Sequence, residues 1–159
     1  MTTLGLSADA LLSTTRAVRR RLDFERPVDD DLIRESLEFA VQAPTGSNQQ
    51  GWRFLVVTDP DKKAALADLY RRGWDVYTGM SASAGALAVG AEGERASQQL
   101  RVLRSASYLA ENMHRVPAML IPCLHGRIEK APGMGASSML ASIIPSTWNF
   151  MLAARERGL

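Results

Sequence analysis

The chain has 159 residues, of which 46% are hydrophobic and 23% charged, and its formal net charge at pH 7 is +2. These values are typical of one globular domain with a sizeable core, spanning residues 1–159, and the small net charge does not support nucleic-acid binding. No apolar run approaches the roughly 18 to 20 residues of a membrane span and no signal-peptide pattern opens the chain, so we expect a soluble, cytoplasmic protein.

The first predicted helix covers residues 7–21 and ends in a cluster of arginines. If the helix runs that far, spacings of three and four residues place Arg16, Arg19 and Arg20 on one face. Clustered guanidiniums favour a phosphate or carboxylate bound between them. A solvated basic face paired with nearby acidic residues is the alternative, and the pattern alone leaves both open.

A second helix and a strand follow in the next thirty or so residues. Residues 30–42 predict an amphipathic helix, because acidic residues open it and apolar residues repeat at helical spacing. Pro44 ends this helix. Residues 52–58 are rich in aromatic and β-branched side chains and carry little charge, which is typical of a strand covered on both faces.

The second half of the chain continues the alternation of helices with few strands. Asp59 and Pro60 predict the N-cap and first residue of a helix that runs to about Arg72. Residues 73–93 are rich in Gly, Ala and Ser and fit either a short helix with a mobile loop or a disordered linker. The remaining elements are a helix at 94–114, a strand at 116–124, and a last helix from residue 136 or 138 to 157, which Pro145 kinks or begins and Gly158 caps. The sum is an α+β or α/β domain.

A polar loop between the second helix and the first strand, residues 43–52, is the most distinctive stretch. Loops on a rigid frame often carry function. Carboxamides offer a donor and an acceptor at fixed separation, which suits the edge of a heterocycle such as the pyrimidine ring of a flavin. A hydrogen-bonded surface turn anchored by Trp52 explains the pattern equally well. The polar side chains of the loop are Thr45, Ser47, Asn48, Gln49 and Gln50.

Residue types that usually perform catalysis or bind metals are scarce. Cys123 lies among apolar residues, which favours a buried, inert thiol. His114 and His125 lie outside metal-ligand or nucleophile spacing, and the chain has no dinucleotide-binding or phosphate-loop glycine motif. We therefore predict no catalytic side chain and no metal site, and we expect a bound cofactor to carry the reaction.

Three segments, taken together, resemble the FMN-dependent nitroreductase family: residues 15–19, residues 43–52 and residues 148–159. The resemblance extends over nearly the whole chain and is weakest at residues 73–93. It implies an α+β fold (an α/β sandwich) with a central sheet flanked by helices. It also implies an intertwined homodimer with FMN at the interface. From the charge and the apolar runs described above, we expect no nucleic-acid partner and no membrane partner.

The resemblance implies a set of FMN-binding residues. The arginine segment corresponds to the part that holds the phosphate and ribityl chain, with Ala17 where the family has a serine. The polar loop corresponds to the part along the isoalloxazine ring, with Gly51 where a proline is common. The implied residues are Arg16, Arg19 and Arg20 for the phosphate, Pro44, Thr45 and Ser47 for the ring, Asn48 and Gln50 for the ribityl or pyrimidine edge, and Ser142 facing the flavin.

The implied reaction is a ping-pong hydride transfer. NADH or NADPH reduces the flavin and leaves, and a nitroaromatic, quinone or related small molecule then accepts the electrons in the same place. Backbone and amide donors near the flavin would stabilise its reduced, negatively charged form. Two alternatives are a flavin-binding or flavin-handling protein without redox activity and a basic module that binds nucleic acid, for which aromatic residues near the arginines are lacking.

Members of the family continue beyond the helix that corresponds to residues 148–159. Their further strands and C-terminal arm contact the flavin and embrace the partner subunit. We therefore expect that these C-terminal strands and this arm are missing here, and that a sheet edge and some apolar surface are left uncovered.

Overall fold

The computed structural model describes residues 3–131 and 133–159. Two compact units divide the chain. One, the sheet unit, contains the described residues up to Arg16, together with Pro27–Val56 and Leu120–Leu159. The other, the helical unit, contains Ala17–Arg26 and Val57–Met119. The expectation that residues 1–159 form a single domain stays a prediction.

Helices dominate both units, and two short strands complete the secondary structure of the described residues. Three single 3₁₀ turns lie at Gly46–Asn48, Met113–Arg115 and Ile128–Lys130. In chain order the elements are α1 (Ala8–Thr14), α2 (Asp30–Ala40), β1 (Trp52–Val57), α3 (Pro60–Thr78), α4 (Ala84–Val89), α5 (Gly93–Asn112), β2 (Met119–Leu124) and α6 (Gly135–Glu156). The predicted α+β class is confirmed.

The sheet of the sheet unit consists of β1 and β2 paired side by side. A backbone hydrogen bond from the His125 amide to the Gly51 carbonyl, 2.9 Å long, continues the contact beyond the strands. Arg53 and Leu55 on β1 are exposed, Leu55 to 55%. The prediction that this strand is covered on both faces is therefore wrong for the described chain, because no further layer covers the face that carries these two side chains.

Helices α2 and α6 pack together in the sheet unit through small buried side chains. Ser36 on α2 and Ser146 on α6 are both fully buried. The Ser146 hydroxyl donates to the Ala40 carbonyl at the end of α2, with an O···O distance of 2.8 Å. Small residues let the two helices approach closely, and the hydrogen bond satisfies one of the carbonyls that a helix C-terminus leaves without a partner.

A largely buried ion pair also joins α2 to the end of α6. Arg157 Nε donates to a carboxylate oxygen of Glu35 at 2.9 Å, and the two side chains are only 11% and 12% exposed. The Arg157 guanidinium lies over the Phe39 ring, 4.8 Å from its centroid. Because both charges are shielded from water, removing either one would leave an uncompensated charge in the interior.

The C-terminus of α6 has the glycine cap that its sequence predicts. Gly158 has φ of +77°, the left-handed conformation that glycine adopts most readily. The amide of Gly158 donates to the Arg155 carbonyl and that of Leu159 to the Ala154 carbonyl. The glycine cap is confirmed, and α6 runs through Pro145 rather than beginning there.

In the helical unit, α3, α4 and α5 pack against one another. Asp59 caps α3 by accepting from the Lys62 amide at 2.9 Å, and Pro60 is the first residue of the helix, both as predicted. The helix continues to Thr78 rather than ending near Arg72. The interpretation of residues 73–93 as a disordered linker is wrong, because the end of α3 and the whole of α4 occupy this stretch.

Helix α1 is much shorter than predicted and ends at Thr14. Its N-cap is Ser7, which accepts from the Ala10 amide. Near its end three consecutive hydroxyls, those of Ser13, Thr14 and Thr15, donate to backbone carbonyls one turn earlier. Hydroxyl side chains that compete for backbone bonds, together with two adjacent β-branched residues, disfavour continuation of the helix.

The early end of α1 overturns the prediction of a helical face of arginines. Arg16, Arg19 and Arg20 all lie beyond the helix, in extended or turn-like chain. The one described backbone bond within this arginine segment runs from the Leu22 amide to the Arg19 carbonyl at 3.4 Å. The three guanidiniums are therefore not aligned by helical spacing.

Candidate functional site

The polar loop between α2 and β1 adopts an unusual backbone conformation. Ser47, Asn48 and Gln50 have φ values of +52°, +53° and +49°, in the left-handed region that residues other than glycine seldom occupy. The Gln50 amide donates to the Thr45 hydroxyl at 3.2 Å, and the Gln50 side-chain amide donates to the Asn48 carbonyl oxygen at 2.8 Å. These bonds hold a conformation that costs energy locally, as is common at ligand-binding sites.

The loop rests on the N-terminal half of α6. The Gly46 amide donates to the Ser142 hydroxyl at 3.5 Å, the long end of the hydrogen-bond range. A Cβ atom at Gly46 would lie only 2.7 Å from the Ser138 hydroxyl oxygen, so a larger residue there would force a shift. The structure thus brings Ser142 together with the predicted loop, although 96 residues separate it from Gly46 along the chain.

Trp52, at the end of the loop, anchors it to α6. Its indole is 7% exposed, and Nε1 donates to the Ser142 carbonyl oxygen at 3.0 Å. Ser142 therefore contacts both ends of the loop, through its hydroxyl at Gly46 and through its carbonyl at Trp52. The contact fixes the loop on a rigid helix, which is how functional loops are usually supported.

The outward side of the loop is a row of hydrogen-bonding groups. Pro44, Ser47, Asn48 and Gln50 are exposed, whereas Thr45 is half-buried. Hydroxyls and carboxamides can both donate and accept, so the row can pair with the edge of a planar polar molecule. Of the five loop residues that the resemblance assigns to FMN, all except Thr45 are therefore exposed and accessible to a ligand.

Arg16 belongs to the sheet unit as well, just after α1. It is exposed, and its Nη1 donates to the Thr15 carbonyl at 2.7 Å. In the part of the chain that the structure describes, no hydrogen bond joins Arg16 to the polar loop. Arg16 and the loop share a unit, but the structure does not link them directly.

The other residues of the arginine segment belong to the helical unit. Ala17 is exposed. The Arg20 guanidinium lies over the Tyr108 ring, 5.8 Å from its centroid. Arg19 is half-buried and lines a cavity of about 400 Å³. Arg19 and Arg20 thus have different surroundings, which their adjacency in the sequence does not indicate.

The cavity beside Arg19 is a feature that the sequence analysis missed. Three aromatic residues of α3 line it, namely Tyr70, Trp74 and Tyr77. Their spacing of four and then three residues places them on one helical face. This spacing is visible in the sequence. However, the predicted end of α3 at Arg72 separates Tyr70, in the predicted helix, from Trp74 and Tyr77, in the predicted loop.

Of the two histidines and the cysteine, His125 adjoins the polar loop, because its amide donates to the Gly51 carbonyl at 2.9 Å. His114 and His125 are exposed. Cys123 on β2 is half-buried and its thiol is 3.5 Å from the Ile121 carbonyl oxygen. Among residues 3–131 and 133–159, no three His, Cys, Asp or Glu side chains gather as a metal site would require. Within the same ranges no helix is both long and apolar enough to cross a membrane.

Comparison with known proteins identifies the family. The profile of the Nitroreductase family matches residues 12–159. The chain belongs to the nitroreductase family, and the predicted resemblance is confirmed.

Two curated relatives show how far the similarity extends. "NADH dehydrogenase" of Thermus thermophilus is 44% identical over 64 residues, which are 40% of this chain and 30% of that protein. "Putative NAD(P)H nitroreductase YdgI" of Bacillus subtilis is 29% identical over 140 residues, which are 87% of this chain and 66% of that protein. The chain thus spans between about a third and two thirds of the length of these relatives.

A solved structure supports the fold independently. The FMN-dependent nitroreductase NfnB from Mycobacterium smegmatis, solved in complex with NADPH, superposes with a TM-score of 0.59 at 17% identity. The similarity covers 95% of this chain and 71% of that one. At this identity the match concerns the fold alone.

Proposed function

We propose that this protein is an FMN-dependent oxidoreductase that uses NADH or NADPH to reduce nitroaromatics, quinones or related small molecules in a ping-pong reaction. The observation that carries the proposal is the outward row of hydrogen-bonding groups in residues 44–50, supported on α6 through Ser142, in a chain that the family profile matches over residues 12–159. The relatives named above favour an oxidoreductase, and the loop is the contact that we propose for its cofactor.

The chemistry of the donor set fits FMN. An isoalloxazine ring presents carbonyl and ring-nitrogen groups at its pyrimidine edge, and the Asn48 and Gln50 side chains can both donate to and accept from such groups. A phosphate needs cationic or N–H donors, and the exposed guanidinium of Arg16 offers several. The polar loop and Arg16 belong to the same unit, and we assign the ring of the ligand to the loop and its phosphate to Arg16.

Each residue has a proposed role. Pro44, Thr45 and Ser47 pack against or bond the ring, and Ser142 keeps the loop in place from α6. Arg16 and Arg19 pair with the phosphate, with Arg20 as a further contributor and Ala17 beside them. When bound, FMN supplies the hydride chemistry, which is why no side chain of this protein is proposed as a catalytic acid, base or nucleophile.

We include a homodimer in the proposal. Leu140, Ile144, Trp148 and Met151 recur every three or four residues along α6 and are 42%, 61%, 42% and 39% exposed. A continuous apolar stripe on one helix is typical of a surface that binds another protein. Light scattering on the purified protein measures its mass, and a monomer at micromolar concentration would contradict this part of the proposal.

The test of the proposed reaction is a flavin spectrum. Purified protein is reconstituted with FMN under anaerobic conditions, and NADPH or NADH is then added. We expect the absorbance band of bound oxidised flavin to disappear after NADPH or NADH is added. Failure to retain FMN would refute the proposal. Retention without bleaching by either nucleotide would favour the flavin-binding alternative without redox activity.

A pair of variants tests the loop itself. Gln50→Leu removes an amide that we assign to the flavin edge, and we expect FMN affinity to fall about tenfold, since a hydrogen bond is worth about 1 kcal/mol or slightly more. Gln42→Leu makes the same chemical change at an exposed residue whose amide bonds the Glu38 carbonyl. It should leave FMN affinity within about twofold of the original. Equal effects of the two changes would show that the loop is not the flavin contact.

A further inference from the structure

We propose that Arg155, near the C-terminus of α6, is a positioning residue for the FMN phosphate. It holds the end of α1 in place, so that the chain leaves the helix towards Arg16 in a fixed direction. The inference rests on the proposed function, because it concerns the phosphate end of the same ligand. It adds a residue that belongs neither to the arginine segment nor to the polar loop.

The Arg155 guanidinium binds the last residue of α1 through two nitrogens. Nη1 donates to the Thr14 carbonyl at 3.0 Å, and Nη2 donates to the Thr14 hydroxyl at 2.6 Å, although 141 positions separate the two residues. A planar fork with two bonds fixes direction as well as distance. A cation is also favourable at a helix C-terminus, where carbonyls lack partners and carry partial negative charge. The end of α1 therefore has one defined position on α6.

The next residue of α6, Glu156, holds the segment that leads into α1. Its carboxylate accepts from the Gly5 amide at 2.7 Å and from the Leu6 amide at 3.2 Å, and its backbone carbonyl accepts from the Leu4 amide at 2.8 Å. Helix α1 has only seven residues and none of them is buried. So short a helix is marginal by itself, and its position depends on the contacts that α6 makes on either side of it.

The chain between Thr14 and Arg16 is short and fixed. Thr15 has an extended backbone, is 7% exposed, and donates its hydroxyl to the Leu11 carbonyl. Arg16 follows it and is exposed, with Nη1 donating to the Thr15 carbonyl at 2.7 Å. A binding group has to be held within about 0.5 Å of its productive position. A shift at Thr14 would therefore displace the guanidinium that we assign to the phosphate.

Arg155 differs from Arg157, the next arginine along α6. Arg157 pairs with Glu35 at 2.9 Å. Within residues 3–131 and 133–159, Arg155 pairs with no carboxylate, and its buried Nε has no hydrogen-bond partner. A buried donor without a partner costs free energy, so stability alone does not explain an arginine here. Arg155 and Arg16 bond successive backbone carbonyls, and their two uncompensated charges favour an oxyanion.

The test compares FMN with riboflavin, which has the same ring and ribityl chain but no phosphate. Fluorescence titration of flavin-free protein measures both affinities, and we expect FMN to bind at least about tenfold more tightly than riboflavin. Arg155→Met should weaken FMN about tenfold and leave riboflavin within about twofold, because only FMN uses Arg16. A merely structural role would weaken both flavins alike. An unchanged FMN affinity, or equal losses for the two flavins, would overturn the inference.

A second variant tests the contact without removing a charge. Thr14→Val deletes the hydroxyl that accepts from Arg155, and FMN affinity should fall about threefold while riboflavin affinity is unchanged. Ser13→Ala is the matched control, because the Ser13 hydroxyl bonds the Asp9 carbonyl and not Arg155. Its flavin affinities should equal those of the original protein. If Arg155→Met does not fold, Thr14→Val decides the matter, and an FMN affinity equal to that of Ser13→Ala would overturn the inference.

A charge control and the pattern of failures complete the experiment. Arg34→Met removes an exposed arginine of α2 that pairs with Asp31, and it should leave both flavin affinities unchanged. Original protein that binds neither flavin would refute the proposed function, and this inference with it. Original protein that binds FMN and riboflavin equally would overturn this inference alone, since the polar loop would still be the flavin contact.

Discussion

The two units of this protein are stabilised in different ways. The sheet unit relies on specific polar contacts between distant parts of the chain, such as the buried Glu35–Arg157 ion pair and the bond from Trp52 to the Ser142 carbonyl. The helical unit relies on helix caps, stacked rings and cations over rings, and an open pocket lies among its helices. Polar contacts have strict geometry, so the first unit suits a loop that must be held in one conformation.

The largest expected effect lies in the sheet unit. Arg157→Met removes one partner of the buried pair and leaves the Glu35 charge uncompensated, which should lower the free energy of unfolding by about 3 to 5 kcal/mol. Arg34→Met is the matched control, because Arg34 pairs with Asp31 on the surface with side chains 76% and 74% exposed. Its effect should stay below about 1 kcal/mol. Urea unfolding followed by circular dichroism measures both, and similar losses would contradict the comparison.

A smaller loss is expected at the anchor of the polar loop. Trp52→Phe keeps most of the buried ring but removes the N–H that bonds the Ser142 carbonyl, and it should cost about 1 to 2 kcal/mol. Ser97→Ala, which removes an exposed hydroxyl that bonds the Gly93 carbonyl, should change stability by less than about 0.5 kcal/mol. The same denaturation measurement compares the two variants. A Trp52→Phe protein as stable as its control would mean that the bond does not hold the loop.

The smallest expected loss is in the helical unit. Tyr77→Phe removes the hydroxyl that accepts from the Ala84 amide, and the cost should be about 1 kcal/mol or less. Tyr70→Phe, on the same face of α3 but 37% exposed, should be neutral within about 0.5 kcal/mol. Thermal melts of both variants are sufficient for this test. A loss at Tyr77 larger than that at Trp52 would reverse the comparison between the two units.

Local rules in the sequence predict the helix ends that depend on neighbouring residues. Asp59 with Pro60 marks the start of α3, and Gly158 marks the end of α6, because a cap needs only a few adjacent residues. The end of α1 was predicted wrongly, since the Ser13–Thr15 hydroxyls compete for the carbonyls of their own helix. The end of α3 was also predicted wrongly. The aromatic residues beyond Arg72 lie among Gly, Ala and Ser, and this composition resembles that of a loop.

The candidate site was predictable only in part. The polar loop was apparent from its composition, and the family resemblance drew attention to Ser142. Residue spacing could not reveal that Ser142 contacts the loop, because that contact joins residues 96 positions apart. The exposed face of β1, with Leu55, likewise depends on what packs against the sheet rather than on the strand's own sequence.

The most direct test of the central claim is hydrogen–deuterium exchange of the purified protein with and without FMN. The claim is that the polar loop and the N-terminal half of α6 form the flavin contact. We predict that FMN slows exchange most strongly in the amides of residues 45–51 and 138–144. Protection confined to the helical unit, or no protection at all, would contradict it.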